Sequence, residues 1–369
     1  MIKHTVKIFF LVFTLFFSGC GGDNAYNGTG LIGGGSIQSQ GDVLSSLQKN
    51  VLILHADALV ENISELKQKV NSFDVNVTQN DLDVMQASFV SILKSYKGVE
   101  SFYVALDFDN KVIQIKQMNA FNTTKGLDVA SNVERALAET RDIESALHKR
   151  SSKSMSGLEY LLYGRNDSME VLVDLMNINN KRRVDALKVV LDNLEGLASA
   201  IASFYKNDTK FTADATDGAN AVVNALVDSV FKAKEWRIGE PSGIASKYKG
   251  NPNPSRLEFK HSSLSLEAIK AILQTHDDVM GVQSYENFGS FASQNGASSI
   301  VNDIRSKINQ ALSFSEEIGI IESAIKINAP INANVQNLYD TLKELQELYF
   351  VSLIQALNLT AEIIEADGD

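Results

Sequence analysis

Apolar residues recur along this chain every three or four positions, and no proline interrupts them before position 241. Leu47, Val51, Leu54 and Ala58 open one stripe, and Leu59, Ile63, Leu66 and Val70 continue it. Leu82, Met85, Phe89, Ile92 and Tyr96 keep the same rhythm, as do Val335, Leu338, Leu342, Leu345 and Tyr349. A period near 3.6 gathers each set on one helix face, and that face needs a partner to bury it. The spacing predicts an all-α fold with helices over about 42–72, 79–100, 127–150, 154–164, 169–206, 213–236, 263–281, 297–322 and 334–360, arranged as two antiparallel bundles. One stretch departs from the pattern. In "YVALDFDNKVIQIKQM" (103–118), Asp109-Asn110 separates two β-prone runs, which suggests one small β-hairpin.

Two interruptions divide the pattern. Residues 207–213, "NDTKFTA", break it after the long segment ending at 206. Residues 237–262 hold three of the four prolines, Pro241, Pro252 and Pro254, and an irregular stretch of that length usually serves a site or an interface. The expected organisation is an N-terminal bundle over 42–206 and a C-terminal bundle over 207–369. The 237–262 loop and the 154–164 helix would lie near their junction.

The N-terminus reads as an address. Lys3 and Lys7 precede the apolar run "IFFLVFTLFF", which is too short to span a bilayer stably and ends at Ser18-Gly19-Cys20. Residues 1–19 are expected to be a lipoprotein signal peptide and Cys20 its lipid acceptor, although Phe17 stands where Leu is usual. The bland alternative is a secreted protein with an incidental cysteine. Cys20 is the sole cysteine, so no intramolecular disulfide exists. Residues 20–41, rich in Gly, Ser and Asn, read as a flexible tether. Within it "GTGLIGGG" lacks the preceding strand and the Lys-Ser/Thr of a phosphate loop. Gly21 after the cysteine favours the outer membrane, facing the periplasm or the cell surface. The formal net charge of −11 leaves no basic footprint for nucleic acid.

Candidate chemistry centres on "SMSGLEYLLYG" (154–164). Ser156, Glu159 and Tyr163 fall on one stripe of a helix, while Met155, Leu158 and Leu162 face the core. The five histidines include no His-x-x-x-His or His-x-x-Glu pair. His276 follows Ile269, Ile272 and Leu273 on an apolar face and reads as a satisfied core residue, whereas His261 lies in the irregular loop beside Ser262. No Gly-x-Ser-x-Gly elbow is present.

"SGLEYLLYG" resembles the signature helix of the imelysin family, a peptidase-like family whose motif runs Gly-x-His-x-x-Glu, aromatic, two aliphatics, aromatic, Gly. Glu159, Tyr160, Leu161, Leu162, Tyr163 and Gly164 match. The motif histidine falls on Ser156 and the motif glycine on Ser154. "MQASFVSILKSYKGVESF" (85–102), with Tyr96, Glu100 and Phe102, is similar to an early family helix. "RIGEPSG" (237–243) and "LEFKHSSLSLEAIKAIL" (257–273), matched at Glu258, Ser262, Ser265 and Leu266, resemble segments of a lipoprotein branch, as does the closing "DGD". The resemblance implies two helical bundles and a cell-envelope protein linked to iron acquisition.

In the intact motif, His and Glu at i and i+3 suit a metal. A serine hydroxyl is a poor transition-metal ligand, and one carboxylate does not complete a site, so no bound metal is expected. The function expected is a non-enzymatic envelope lipoprotein that binds a ligand, iron or an iron compound, alongside envelope iron-uptake partner proteins. The alternative is a metal-dependent peptidase or hydrolase with a degenerate site. Candidate ligand-binding residues are Ser156, Glu159, Tyr163, Arg237, Glu258 and Ser262. Glu159 is expected in a polar cleft at the bundle junction, with Arg237 as its cation and Ser156 and Ser262 as donors.

Overall fold

The computed structural model describes residues 39–72, 77–121, 128–164, 168–177 and 181–360. The signal peptide, Cys20, nearly all of the tether and the closing "DGD" lie outside the described residues. Among those described, every regular element is helical.

The chain begins with α1 (Gln40–Leu47), which passes through a π-helical segment, Gln48–Ile53, into α2 (Leu54–Asn71). Thr78 and Asp81 then form a reciprocal capping box that starts α3 (Gln79–Ser101). The expected hairpin is absent. Residues 103–118 form two helical turns, α4 (Ala105–Phe108) and α5 (Gln114–Met118). Val104, Ala105, Ile115 and Met118 are buried there, and α5 packs on a later long helix. Tertiary burial has overridden a β propensity that depends on finding a sheet to join.

The single helix expected over 127–150 is also broken. It comprises α6 (Val129–Ala138), α7 (Ile143–Ala146) and a 3₁₀ turn, Arg150–Lys153. Glu139 leaves helical geometry, and the Asp142 side chain restarts the helix by accepting from the Ser145 N–H. Next comes α8 (Met155–Tyr163), capped by Ser154. The segment expected over 169–206 is two helices, α9 (Ser168–Met176) and α10 (Arg182–Asn207).

The second half holds α11 (Lys210–Ala213), α12 (Ala215–Lys232), a π-helical continuation Ala233–Gly239, and α13 (Glu240–Ser242). The 237–262 loop is therefore shorter than expected, because Arg237 belongs to the π segment. After two 3₁₀ turns come α14 (Ser265–Met280), α15 (Phe288–Ala292), α16 (Ser298–Ile318), α17 (Ile321–Ala324), α18 (Ala333–Glu347) and α19 (Ile354–Leu357).

The helix α2 packs between α3 and α10, while α16 packs against α14 and α18, and α12 against α18. The joint between these sets is α3 against α14. The boundary drawn at 206–207 falls just before the last residue of α10, and apolar side chains on both sides of it belong to one continuous cluster.

Candidate functional site

Two features of sequence place α8. Gly157 lies so close to the preceding 3₁₀ turn that a Cβ would stand 2.2 Å from the Ser152 carbonyl oxygen, so only glycine lets the helix seat there. Gly164 ends α8 at φ 62°, where a side chain would be strained. Between them, Leu158, Leu161 and Leu162 are fully buried, as their spacing requires.

Glu159 is buried as well, with 1 % of its surface exposed. It does not line an open cleft. Its Oε1 accepts three hydrogen bonds from one turn: the His261 N–H at 2.9 Å, the Ser262 N–H at 2.9 Å and the Ser262 hydroxyl at 2.8 Å. The turn is tight enough to hold Ser263 at φ 58°. Burial pushes the Glu159 carboxyl up to about 8, while the Ser262 and His261 donors, and then Lys260, pull the other way.

The expected cation lies elsewhere. Arg237 donates from Nε to Glu258 Oε2 at 2.7 Å and from Nη2 to Glu100 Oε2 at 2.7 Å. Lys97 completes the group, reaching Glu100 Oε2 at 2.5 Å and Glu258 Oε1 at 2.6 Å. Tyr96 donates its hydroxyl to the other oxygen of Glu100 at 2.8 Å. Two cations thus face two carboxylates, which is how buried charges are tolerated. Burial opposes ionisation of Glu100, but Arg237 and Lys97 overcome it and hold the carboxyl at about 2.

Ser156 does not touch Glu159 either. Its hydroxyl donates to Asn119 Oδ1 at 2.8 Å, and Asn119 Nδ2 donates to Glu258 Oε1 at 2.6 Å. Ser156 therefore links α8 to the ion cluster through Asn119. Tyr163 makes no hydrogen bond to either group, giving its hydroxyl to the Gln86 carbonyl at 3.2 Å and meeting the Phe89 ring edge to face.

Of the six sequence-predicted residues, Glu159 meets Ser262, Arg237 meets Glu258, and Ser156 joins the second pair indirectly. Lys97, Glu100 and Asn119 were missed as site residues. Lys97 carried a signal, since it stands four residues after Leu93 on the α3 apolar face and is fully buried. Asn119 carried none.

The histidines are accounted for mainly by structure. His276 is buried between the Tyr349 hydroxyl at 3.1 Å and the Ser229 hydroxyl at 3.0 Å, and burial lowers it to about 3. The His261 ring meets the edge of Tyr160. The described residues include no group of three or more His, Cys, Asp or Glu side chains placed to share a metal ion. A groove of about 630 Å³ lined by Asp303, Lys307, Glu344, Glu347 and Val351 shares no residue with either polar cluster.

Comparison with known proteins adds context. The family model described as Imelysin matches residues 53–349. No curated protein matches the chain. Three solved chains match it, and two of them show how fully the fold is shared. One is an imelysin-like protein from Psychrobacter arcticum 273-4, 18 % identical, with a TM-score of 0.65, covering 89 % of this chain and 98 % of that one. The other, from Parabacteroides distasonis ATCC 8503, is named as an iron-regulated protein A precursor. It is 12 % identical, with a TM-score of 0.66, covering 89 % of this chain and 97 % of that one.

Proposed function

The chain belongs to the imelysin family, and from that premise we propose that it is a non-enzymatic envelope lipoprotein that binds a ligand in the uptake of iron or an iron compound. One observation carries the non-enzymatic part. The motif glutamate spends Oε1 on three donors from the 261–262 turn, and Ser156, at the motif histidine position, is engaged with Asn119. These contacts favour a structural part for both groups, and a hydroxyl in place of imidazole is a poor ligand for a transition metal. The link to iron is supported by the neighbour named for iron regulation. The link to the envelope is supported by the apolar run ending at Ser18-Gly19-Cys20.

Three measurements test the proposal. Casein incubated with the purified protein and zinc or iron is expected to remain intact, and turnover abolished by Glu159→Gln would establish the hydrolase reading instead. Protein purified from iron-replete cells is expected to carry iron or an iron compound, detected by metal analysis and absorbance, and its absence would count against the ligand. Cys20→Ser is expected to leave the membrane fraction, and full retention there would refute lipid anchoring.

A further inference from the structure

The ion cluster around Arg237 has one member that meets solvent. The side chains of Lys97, Arg237 and Glu258 are 0 %, 4 % and 1 % exposed, whereas that of Glu100 is 22 % exposed. Glu258 is fixed from three sides, by Lys97, Arg237 and Asn119. Glu100 is held by three groups more deeply buried than itself. Lys97 and Arg237 converge on its Oε2, and Tyr96 donates to its Oε1. Aromatic rings frame the cations, with Phe121 5.5 Å from the Arg237 guanidinium and Phe259 5.4 Å from the Lys97 ammonium.

Removing Glu100 from this arrangement would leave two buried cations facing one carboxylate, an excess of one positive charge in a poorly solvated place. Three donors from Lys97, Arg237 and Tyr96 would then point at the vacated position. A guanidinium beside an ammonium, with a hydroxyl to complete the set, suits a carboxylate. We propose that Lys97, Arg237 and Tyr96 form a carboxylate-binding cradle whose resident occupant is the Glu100 side chain, which a ligand carboxylate displaces toward solvent. The inference rests on reading the chain as a binding protein and names the ligand class: a small di- or tricarboxylate. A single carboxylate merely exchanges like for like against an intramolecular competitor. A polycarboxylate keeps further charged oxygens for solvent, for the released side chain's surroundings or for a bound metal ion.

The test uses the mature chain with acetate and citrate as probes, read by calorimetry and thermal unfolding against potassium chloride at matched ionic strength. Glu100→Ala is expected to bind acetate at least about tenfold more tightly than the wild type. Adding Arg237→Gln to that variant is expected to abolish the gain. In the wild type, citrate is expected to slow amide exchange around residues 96–100 and 237, saturably. A Glu100→Ala protein with native helical content and no gain in acetate binding would overturn the proposal, as would a gain that survives loss of Arg237. If Glu100→Ala does not fold, Glu100→Gln and the wild-type citrate experiment decide, and absence of citrate protection in the wild type refutes the cradle. These outcomes are independent of whether iron copurifies, so failure of the iron reading and failure of the cradle are distinguishable.

Discussion

Replacing Glu159 by Gln removes the carboxyl charge from the contact between α8 and the 261–262 turn, while nearly preserving shape. Burial raises the Glu159 carboxyl from 4.5 to about 8. The folded protein therefore keeps a proton that the unfolded chain releases across that interval, and stability must fall as pH rises through it. The stabilising contribution of the proton is fully present below 4.5 and lost by the time the folded group ionises near 8. At one proton and about 1.4 kcal/mol per pH unit, the loss approaches about 3 kcal/mol by neutral pH and about 4–5 kcal/mol above pH 8. Gln carries no such term. Its amide oxygen can accept from His261 and Ser262 as the carboxyl does. Urea unfolding followed by far-UV circular dichroism at several pH values is expected to give wild-type and Glu159→Gln curves that nearly meet at about pH 5 and diverge as pH rises, with the variant the more stable. Parallel curves would refute the reasoning. They would mean that the three donors from the turn hold the carboxylate ionised in the folded state.

Three other outcomes follow from the same geometry. Lys97→Met leaves two carboxylates, the buried Glu258 and the part-exposed Glu100, to one cation and is expected to cost about 3–5 kcal/mol, whereas Lys97→Met with Glu100→Gln restores neutrality and costs clearly less, both read from urea midpoints. Gly157→Ala drives a Cβ to 2.2 Å from the Ser152 carbonyl and is expected to destabilise by about 1–3 kcal/mol, and an unchanged Tm would contradict that seating of α8. His276, lowered to about 3, is expected to stay neutral, so its ring resonances should not titrate between about pH 5 and 8.

Much of the helical fold was legible because its signals are periodic. The stripes of α3 and α18 match the buried residues, as do Leu59, Ile63, Leu66 and Val70 of α2. Leu54, placed on the same stripe, is instead 58 % exposed and Ala58 is half-buried, with Ala56 buried in that turn. The break after Ala138 was not legible. Asp142 is an ordinary helix-surface residue until its side chain is seen capping Ser145. The apolar run 103–118 was misread for a related reason: short apolar segments do not reveal their period, and no partner strand exists among the described residues. At the site, Glu159 and Ser262 could be paired because both fall in segments that resemble the family's and that the resemblance expects to meet between the bundles. Arg237 could not be assigned correctly, because sequence does not say which of several carboxylates is nearest. Glu258 and Glu100 are, and Glu159 is served by backbone N–H groups that no residue type announces.

The two polar clusters have a shared physical consequence for how the helices are held. Apolar faces such as those of α3 and α14 tolerate small slides, because the dispersion attraction given up at one position is largely regained at the next. Buried charges tolerate no such slide, since each displaced by an ångström or two keeps its desolvation cost and loses its partner. Lys97 on α3, Arg237 on the π segment and Glu258 before α14 therefore fix one relative setting of these elements, and Asn119 with Ser156 extends it to α8. The Lys97→Met, Glu100→Gln protein separates this role from stability. It is expected to remain helical but to show broadened amide resonances for α3 and for residues 257–264, as several settings become accessible. Sharp, wild-type-like resonances would mean that apolar packing alone sets the register. In that case the buried charges would have to be explained by what they bind.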